Sequence, residues 1–510
     1  MTFSELQNET GRRGLAVDRS LLFKPPICFW FRSGPAVSGT TLSMAVAMAM
    51  TLSIFCTSAP AAEAAGKSAD DLTVIPIEEL MNIEVSLSRT RQTVSESPSA
   101  IHVLTQEDIR RSGATSIPEA LRQVPGLDVA RITAHSWAVS SRGFNDFFAN
   151  KLLVLMDGRS VYTPLFSGVF WDVQDTFVED IERIEVVRGP GASLWGANAV
   201  NGVINIVTRT AHDTKGALIS GLAGTEEYIG GIRYGGTISE KASYRAYVKY
   251  LHRDDQRDAM GADASDEWDM LRTGFRTDWD FSANDSITFQ GDYYEGHEDQ
   301  RLLVVTPPPI PFRMVEGEAR LAGGNLLGSW RHTFSEESDL GVQVYYDRTE
   351  RHDRVHREIR NTYDIDFQHR IALFERQEFI WGLGYRLTTD ELGEGRDRTG
   401  AIQFIPSHRQ DQLFSAFLQD EIAIIEDRLR LTLGSKFEHN DYTGLEIQPN
   451  ARLLWTPHRN HSVWGAVSRA VRSPARFEHD VRAWFIPPPS MLVGNPEFES
   501  ESLLAYELGY

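Results

Sequence analysis

From Gly216 to Tyr510 the chain is written in segments of roughly ten residues in which apolar and polar side chains alternate. In residues 429–439, LRLTLGSKFEH, Leu429, Leu431, Leu433 and Phe437 share one face, and Arg430, Thr432, Lys436 and Glu438 share the other. In residues 339–348, DLGVQVYYDR, Leu340, Val342, Val344 and Tyr346 oppose Gln343, Tyr345 and Asp347. A period of two predicts strands with one apolar face. The connections sort into two kinds. Short turns near 239, 282, 335, 426 and 458 are expected to alternate strictly with long polar loops near 253–267, 298–320, 348–360, 390–409 and 473–500. Short on one side and long on the other is the pattern of an antiparallel barrel in an outer membrane, and a soluble sandwich has no reason to sort its loops. Trp268, Trp330, Tyr345, Trp381, Trp455 and Trp464 lie toward segment ends, where an interfacial girdle is expected.

Residues 96 to about 210 read differently, as a small α/β unit. Thr105 is placed to cap a helix that has Asp108 in its first turn and Gly113 as its stop. Ser116, with Glu119 three residues on, predicts a second helix with a capping box, closed by Gly126. Strands are expected at 152–156, ahead of the turn Asp157-Gly158, and at 184–187 and 203–207. Between the last two lies RGPGASLWGANAVNG, which is not a phosphate loop: no Lys follows its glycines, and the run after it is extended.

Composition narrows the partners and the compartment. A net charge of −20 argues against nucleic acid. The apolar stretch Leu42 to Cys56, followed by SAPAAEAAGKS, predicts a secretory signal within residues 1–64, carried on a long leader. Cys28 and Cys56 both fall in that leader, so the exported chain is expected to have neither disulfides nor a thiolate metal site. His352 and His356 in HDRVH, and the carboxylates of 254–269, read as solvated loop groups, and no metal site is assigned. No catalytic signature stands out, and no enzyme is expected.

A secretory leader, a small α/β unit and then barrel strands is an order that resembles TonB-dependent outer-membrane receptors. The resemblance rests on SSRGF (140–144), KLLVLMDGRSVY (151–162), IERIEVVRGPGASLWGANAVNGVINIVTR (181–209), LQDEI (418–422) and NPEFESESLLAYELGY (495–510). It implies an α/β plug domain at 96–212 followed by a transmembrane antiparallel β-barrel from 213 to 510. About 14 strands are expected here, against about 22 in a full-length member, because the chain stops inside an alternating segment. It further implies import of a scarce bulky nutrient such as a ferric siderophore or cobalamin, energised through TonB with ExbB and ExbD. No cofactor is expected, any metal arriving as a chelated substrate, and outer-membrane lipid is the solvent of the barrel. The alternatives are a surface-binding or adhesion barrel with an immobile plug, and a passive pore.

Within the plug, Gly143, Asp157, Gly158, Gly189, Pro190, Gly196 and Gly202 are expected to let backbone pack on backbone. Asn198, Asn201 and Asn205 are expected to satisfy buried backbone groups. A mobile segment at 65–95 would offer TonB a strand to pair with. Ile83, Glu84 and Val85 in NIEVSLS are the favoured place, and DLTVIP (71–76) competes. Alternation turns Glu421 and Glu507 inward, and the resemblance implies that plug arginines Arg142 and Arg188 meet them. The competing arrangement has both arginines bonding plug carbonyls.

Overall fold

The computed structural model describes residues 97–510 apart from 306–311, 375, 398–401, 459 and 484–490, together with two short strands farther upstream. These are β1 (Glu84–Val85) and β2 (Gln92–Thr93), which pair antiparallel. The secretory leader, the 71–76 segment and Ile83 lie outside the described residues.

The plug begins with β3 (Ala100–Thr105) and α1 (Gln106–Ser112). Thr105 Oγ1 accepts from the Asp108 amide at 3.2 Å, the Asp108 carboxylate accepts from the Thr105 amide at 2.9 Å, and Gly113 ends the helix at φ +70°. α2 (Ile117–Leu121) differs from expectation. Ser116 is its N-cap residue but makes no side-chain cap bond, and Glu119 instead accepts from Trp137 Nε1 at 2.9 Å. A buried indole N–H needs an acceptor, and that need outweighs the cap. β4 (Leu127–Arg131) and β5 (Trp137–Ser141) form a ribbon. β6 (Leu152–Met156), β7 (Arg159–Ser160), β8 (Ile181–Arg188) and, after α3 (Ala192–Trp195), β9 (Gly202–Thr208) complete the unit. Its sheet runs β3-β8-β9-β6-β7, with β6 and β9 parallel. Leu104, Ile109, Leu121, Ile184, Ile204 and Ile206 fill its core.

The barrel strands follow in order. They are β10 (Gly216–Ala223), β11 (Glu227–Ser239), β12 (Ala242–Arg253), β13 (Trp268–Asp280), β14 (Asp285–Val305), β15 (Phe312–Ser335), β16 (Ser338–His352) and β17 (His356–Leu373). Next come β18 (Gln377–Glu394), the short β19 (Ile402–Phe404), β20 (His408–Ile425), β21 (Leu429–Asn440), β22 (Gly444–His458) and β23 (His461–Arg472). Last are α4 (Arg476–His479), β24 (Val481–Ala483), β25 (Leu492–Val493) and β26 (Glu501–Gly509). Fourteen of these strands, β10–β18, β20–β23 and β26, form one antiparallel sheet in sequence order, while β19, β24 and β25 make a small separate sheet.

Two expectations about the barrel are corrected. The loops expected at 298–320 and 348–360 are mostly strand, and the connection at 353–355 is as short as the turns on the other side. Here the strands run past the apolar band into water, where both faces are polar and the alternation that marks a strand fades. Trp268 and Tyr345 do not belong to a girdle. Trp268 is buried against Trp137 with ring centroids 6.0 Å apart, and Tyr345 is buried on the lumenal side. Trp330 and Trp455 are exposed on the outer face near the short turns, and Trp279, Phe281 and Phe334 join them. The phase of β20 and β26 matches the sequence reading: Phe414, Leu418, Leu504, Tyr506 and Leu508 are exposed, and Gln419 is buried.

Candidate functional site

The plug meets the barrel through an apolar cluster, in which plug Trp137 and Trp171 join Leu251, Trp268, Met270 and Leu321 of the wall, and through many charged and hydrogen-bonded groups, most of whose cations belong to the barrel. On β12, Arg245, Lys249 and Arg253 stand at every fourth position, so a period of two sends all three inward. Lys249 Nζ donates to Asp175 Oδ1 at 2.7 Å and to the Thr176 carbonyl at 2.8 Å. Arg253 Nη1 donates to the Ala134 carbonyl at 2.8 Å, and Arg245 Nη2 to Thr208 Oγ1 at 3.1 Å. Arg233 on β11 pairs with Asp180, and Arg351 on β16 with Asp172. Arg452 on β22 donates to the Pro190 carbonyl at 3.0 Å and to the Pro98 carbonyl at 3.2 Å. The sequence reading sought arginines on the plug and passed over these. Their inward phase on alternating strands was the available signal.

The four residues assigned to ion pairs part company. Arg142 Nη2 lies 2.7 Å from Glu507 Oε1 and also donates to the Arg188 carbonyl at 2.9 Å. Arg188 does not reach Glu421. Its Nη1 donates to the Pro125 carbonyl at 2.9 Å, and Glu421 sits 3.2 Å from Arg430 on the neighbouring strand. An arginine at the end of β8 faces the turn after α2, whose carbonyls lack helical partners, so the nearer acceptor takes it. Lys151 Nζ contacts Glu501 Oε2 at 2.7 Å, a second link to β26 that was not foreseen.

The plug's special backbone positions are closely packed. Gly196, at φ +90°, leaves no room for a Cβ beside the Glu438 carboxylate, which accepts the Ala197 amide at 2.7 Å. Gly189, at φ +121°, does the same beside Glu507 and Arg142. Gly143 and Gly158 also have positive φ, Gly158 lying against Gln343, and Gly202 lies against the Val187 carbonyl. Asp157, itself at φ +49°, accepts from the Thr208 amide, Thr208 Oγ1 and Gln290 Nε2, each at 2.8 Å, so one turn holds β9 and the barrel wall together. Of the asparagines, Asn198 plays the expected part. Its amide donates to the Val471 carbonyl at 2.8 Å and its Oδ1 accepts the Ser473 amide at 3.1 Å. Asn205 Nδ2 donates instead to Glu185 Oε2 at 3.2 Å, and Asn201 Nδ2 has no hydrogen-bond partner. Both sit beside the β8–β9 ladder, which already uses the nearby backbone groups.

Between the plug turn at Gly158–Tyr162 and the wall from β13 to β21 lies a cavity of about 380 Å³. Arg159, Tyr162, Tyr345, Asp364, Arg386 and Tyr442 line it, so it is wet and amphipathic rather than greasy. At the outer rim, His252, Asp254 and Glu267 bring three donor atoms within 4.8 Å of one another. Both carboxylates there are exposed, the usual state of a solvated pair. His352 and His356 do not converge: Asp353 Oδ1 accepts the amides of Val355 and His356 in a turn, and His356 is buried against Phe404. In the acidic loop, Asp255, Asp258 and Asp266 accept backbone amides.

Comparison with known proteins agrees with this arrangement. The family model described as TonB-dependent Receptor Plug Domain matches residues 93–203, and that described as TonB dependent receptor-like, beta-barrel matches 212–510. A vitamin B12 transporter, BtuB, of Vibrio vulnificus is 32% identical over 146 residues, which are 28% of this chain and 23% of that protein. An iron-regulated outer membrane virulence protein of Vibrio cholerae is 23% identical over 443 residues, 82% of this chain and 64% of that protein. The chain thus spans less than two thirds of the length of either relative. Among solved structures, the siderophore receptor PirA of Pseudomonas aeruginosa superposes with a TM-score of 0.62 at 18% identity, covering 80% of this chain and 70% of that one. The ferric yersiniabactin uptake receptor FyuA of Yersinia pestis gives 0.62 at 14%, covering 81% and 70%.

Proposed function

The chain belongs to the TonB-dependent receptor family of the bacterial outer membrane, and from that premise we propose that it imports a scarce bulky nutrient at the expense of TonB. A ferric siderophore is the first substrate class and cobalamin the second, after the names carried by its relatives. The observation that carries the reading is the character of the plug–barrel contact. Beside a shared apolar cluster, much of it consists of barrel cations on plug carbonyls and carboxylates, next to a cavity of about 380 Å³. Such contacts can be exchanged for water as a plug shifts, because each net hydrogen bond to a charged group is worth only ~1.5–3 kcal/mol. The coupling strand at Ile83, Glu84 and Val85 would take the pull, by adding a strand to TonB.

The test is accumulation of a labelled ferric siderophore and of labelled cyanocobalamin by cells expressing the protein, with TonB intact or inactivated. The expected result is accumulation of one substrate that falls at least tenfold without TonB while surface binding is unchanged. Equal accumulation in both strains would make the protein a passive pore, and binding without accumulation would make it an adhesin.

A further inference from the structure

One of the plug's contacts with the outer part of the barrel is a tight turn, residues 132–136, in which the Ile132 amide donates to the Ser136 carbonyl at 2.9 Å. The barrel holds that turn from two sides. Arg253 of β12 donates to the Ala134 carbonyl, and Asp266 of the 254–267 loop accepts the Ala134 amide at 2.7 Å. At its centre is His135, 6% exposed. Its Nε2 is 3.1 Å from the Asp299 carbonyl, an acceptor only, so that nitrogen carries a proton. Its Nδ1 is 3.1 Å from Glu298 Oε2 and 3.1 Å from Ser136 Oγ.

The state of Nδ1 decides what happens to Glu298. If Nδ1 is protonated, the ring faces the carboxylate as a cation, and the Ser136 hydroxyl is free to accept. If Nδ1 is bare, Ser136 turns to donate into it, and the imidazole lone pair confronts Glu298 Oε2, which has no other hydrogen-bond partner. The charged groups around the ring then decide between the two states. Glu298 from β14 also lies 2.6 Å from Arg351 of β16, which in turn pairs with Asp172 of the plug; Arg253 and Asp266 flank the same turn. With Asp172 ionised, His135, Glu298, Arg351 and Asp172 sum to zero with the ring protonated and to −1 without it; burial pushes the Asp172 carboxyl up to about 6, so this count holds above that pH. An uncompensated charge in a buried cluster is costly, so the ring resists losing its proton. Burial alone would draw the His135 pKa down, but the Glu298 carboxylate, together with Asp172 and the Asp299 carbonyl, outweighs it and holds the value above the ordinary 6.5.

We propose that His135 is a proton-operated latch: protonated, it fastens plug turn 132–136 to Glu298 and so to the outer loop 254–267, and on deprotonation it lets the turn go. The Ser136 hydroxyl, able to donate or accept, makes both states accessible without rebuilding the turn. Since the folded pKa is raised, the docking is complete below pH 6.5 and is lost as pH rises through the folded value. The latch depends on the plug sitting in the barrel and not on import or on any substrate.

Hydrogen exchange followed by mass spectrometry on the protein in detergent micelles, from pH 5.5 to 9 and corrected for intrinsic exchange, tests it. Protection of 132–136 should fall about tenfold across one titration, with no matching change in β9. In His135→Gln, which cannot be protonated, protection should be low and flat, and in Glu298→Gln the step should vanish. Retained protection in β9 shows that each variant still holds a folded plug. If His135→Gln loses that protection, Glu298→Gln decides alone. A flat wild-type profile, or a step that survives in Glu298→Gln, overturns the latch.

Discussion

A single guanidinium shows how local competition sets a contact. Arg142 and Arg188 are both plug arginines beside a glycine, yet only Arg142 touches a barrel carboxylate. A double-mutant cycle on Arg142 and Glu507 should give a coupling of about 1 kcal/mol, the value for a half-exposed pair rather than a buried one. The same cycle on Arg188 and Glu421 should be additive within about 0.5 kcal/mol, since each has its own nearer partner. Chemical denaturation of the four variants in each cycle measures both. Gly196 makes the complementary point about space. Gly196→Ala has to hold an alanine at φ +90° and displace the Glu438 carboxylate, so it should destabilise the plug by at least ~1–2 kcal/mol, read as lower protection of β9. The sequence marked all of these positions as special. It could not rank their partners, because that ranking depends on which acceptor a folded neighbour leaves within reach.

At the scale of elements, the two plug helices separate a rule from its exception. Both carry a capping residue followed three positions later by an acid, but only Thr105 makes the bond. Thr105→Ala should therefore cost about 1 kcal/mol and Ser116→Ala close to nothing, measured as shifts in unfolding midpoint. The spacing of Thr105 and Asp108 was legible because a cap is local. The fate of Glu119 was not, because Trp137 comes from another element. The barrel strands follow the same division. Alternation gave the phase of β20 and β26 where one face meets lipid, and misplaced the ends of β14 to β17 where both faces meet water. For β1, Val85→Pro removes a backbone donor from the strand proposed to pair with TonB. Uptake should stop with surface binding intact. Uptake at the wild-type rate would move the coupling strand to residues 71–76.

Across the whole molecule, the aromatic residues report which surface meets lipid. Brominated acyl chains should quench single-tryptophan variants that retain Trp279, Trp330 or Trp455, which are 47%, 41% and 50% exposed on the outer face. Variants retaining Trp137 or Trp268, 5% and 1% exposed, should be indifferent to the quencher. Equal quenching of both sets would contradict the inward placement of Trp268. The contacts that seat the plug also have an order in time. Asn198 meets Ser473 across 275 residues and Arg452 meets Pro98 across 354, so the plug leaves the ribosome long before the strands that grip it exist. Closing such distances is entropically slow. The plug supplies its share of the apolar cluster by Thr208, before Leu251, Trp268, Met270 and Leu321 of the barrel join it. A variant with a weakened plug core should therefore fail at assembly, seen as loss of folded receptor from the membrane, before it ever fails at transport.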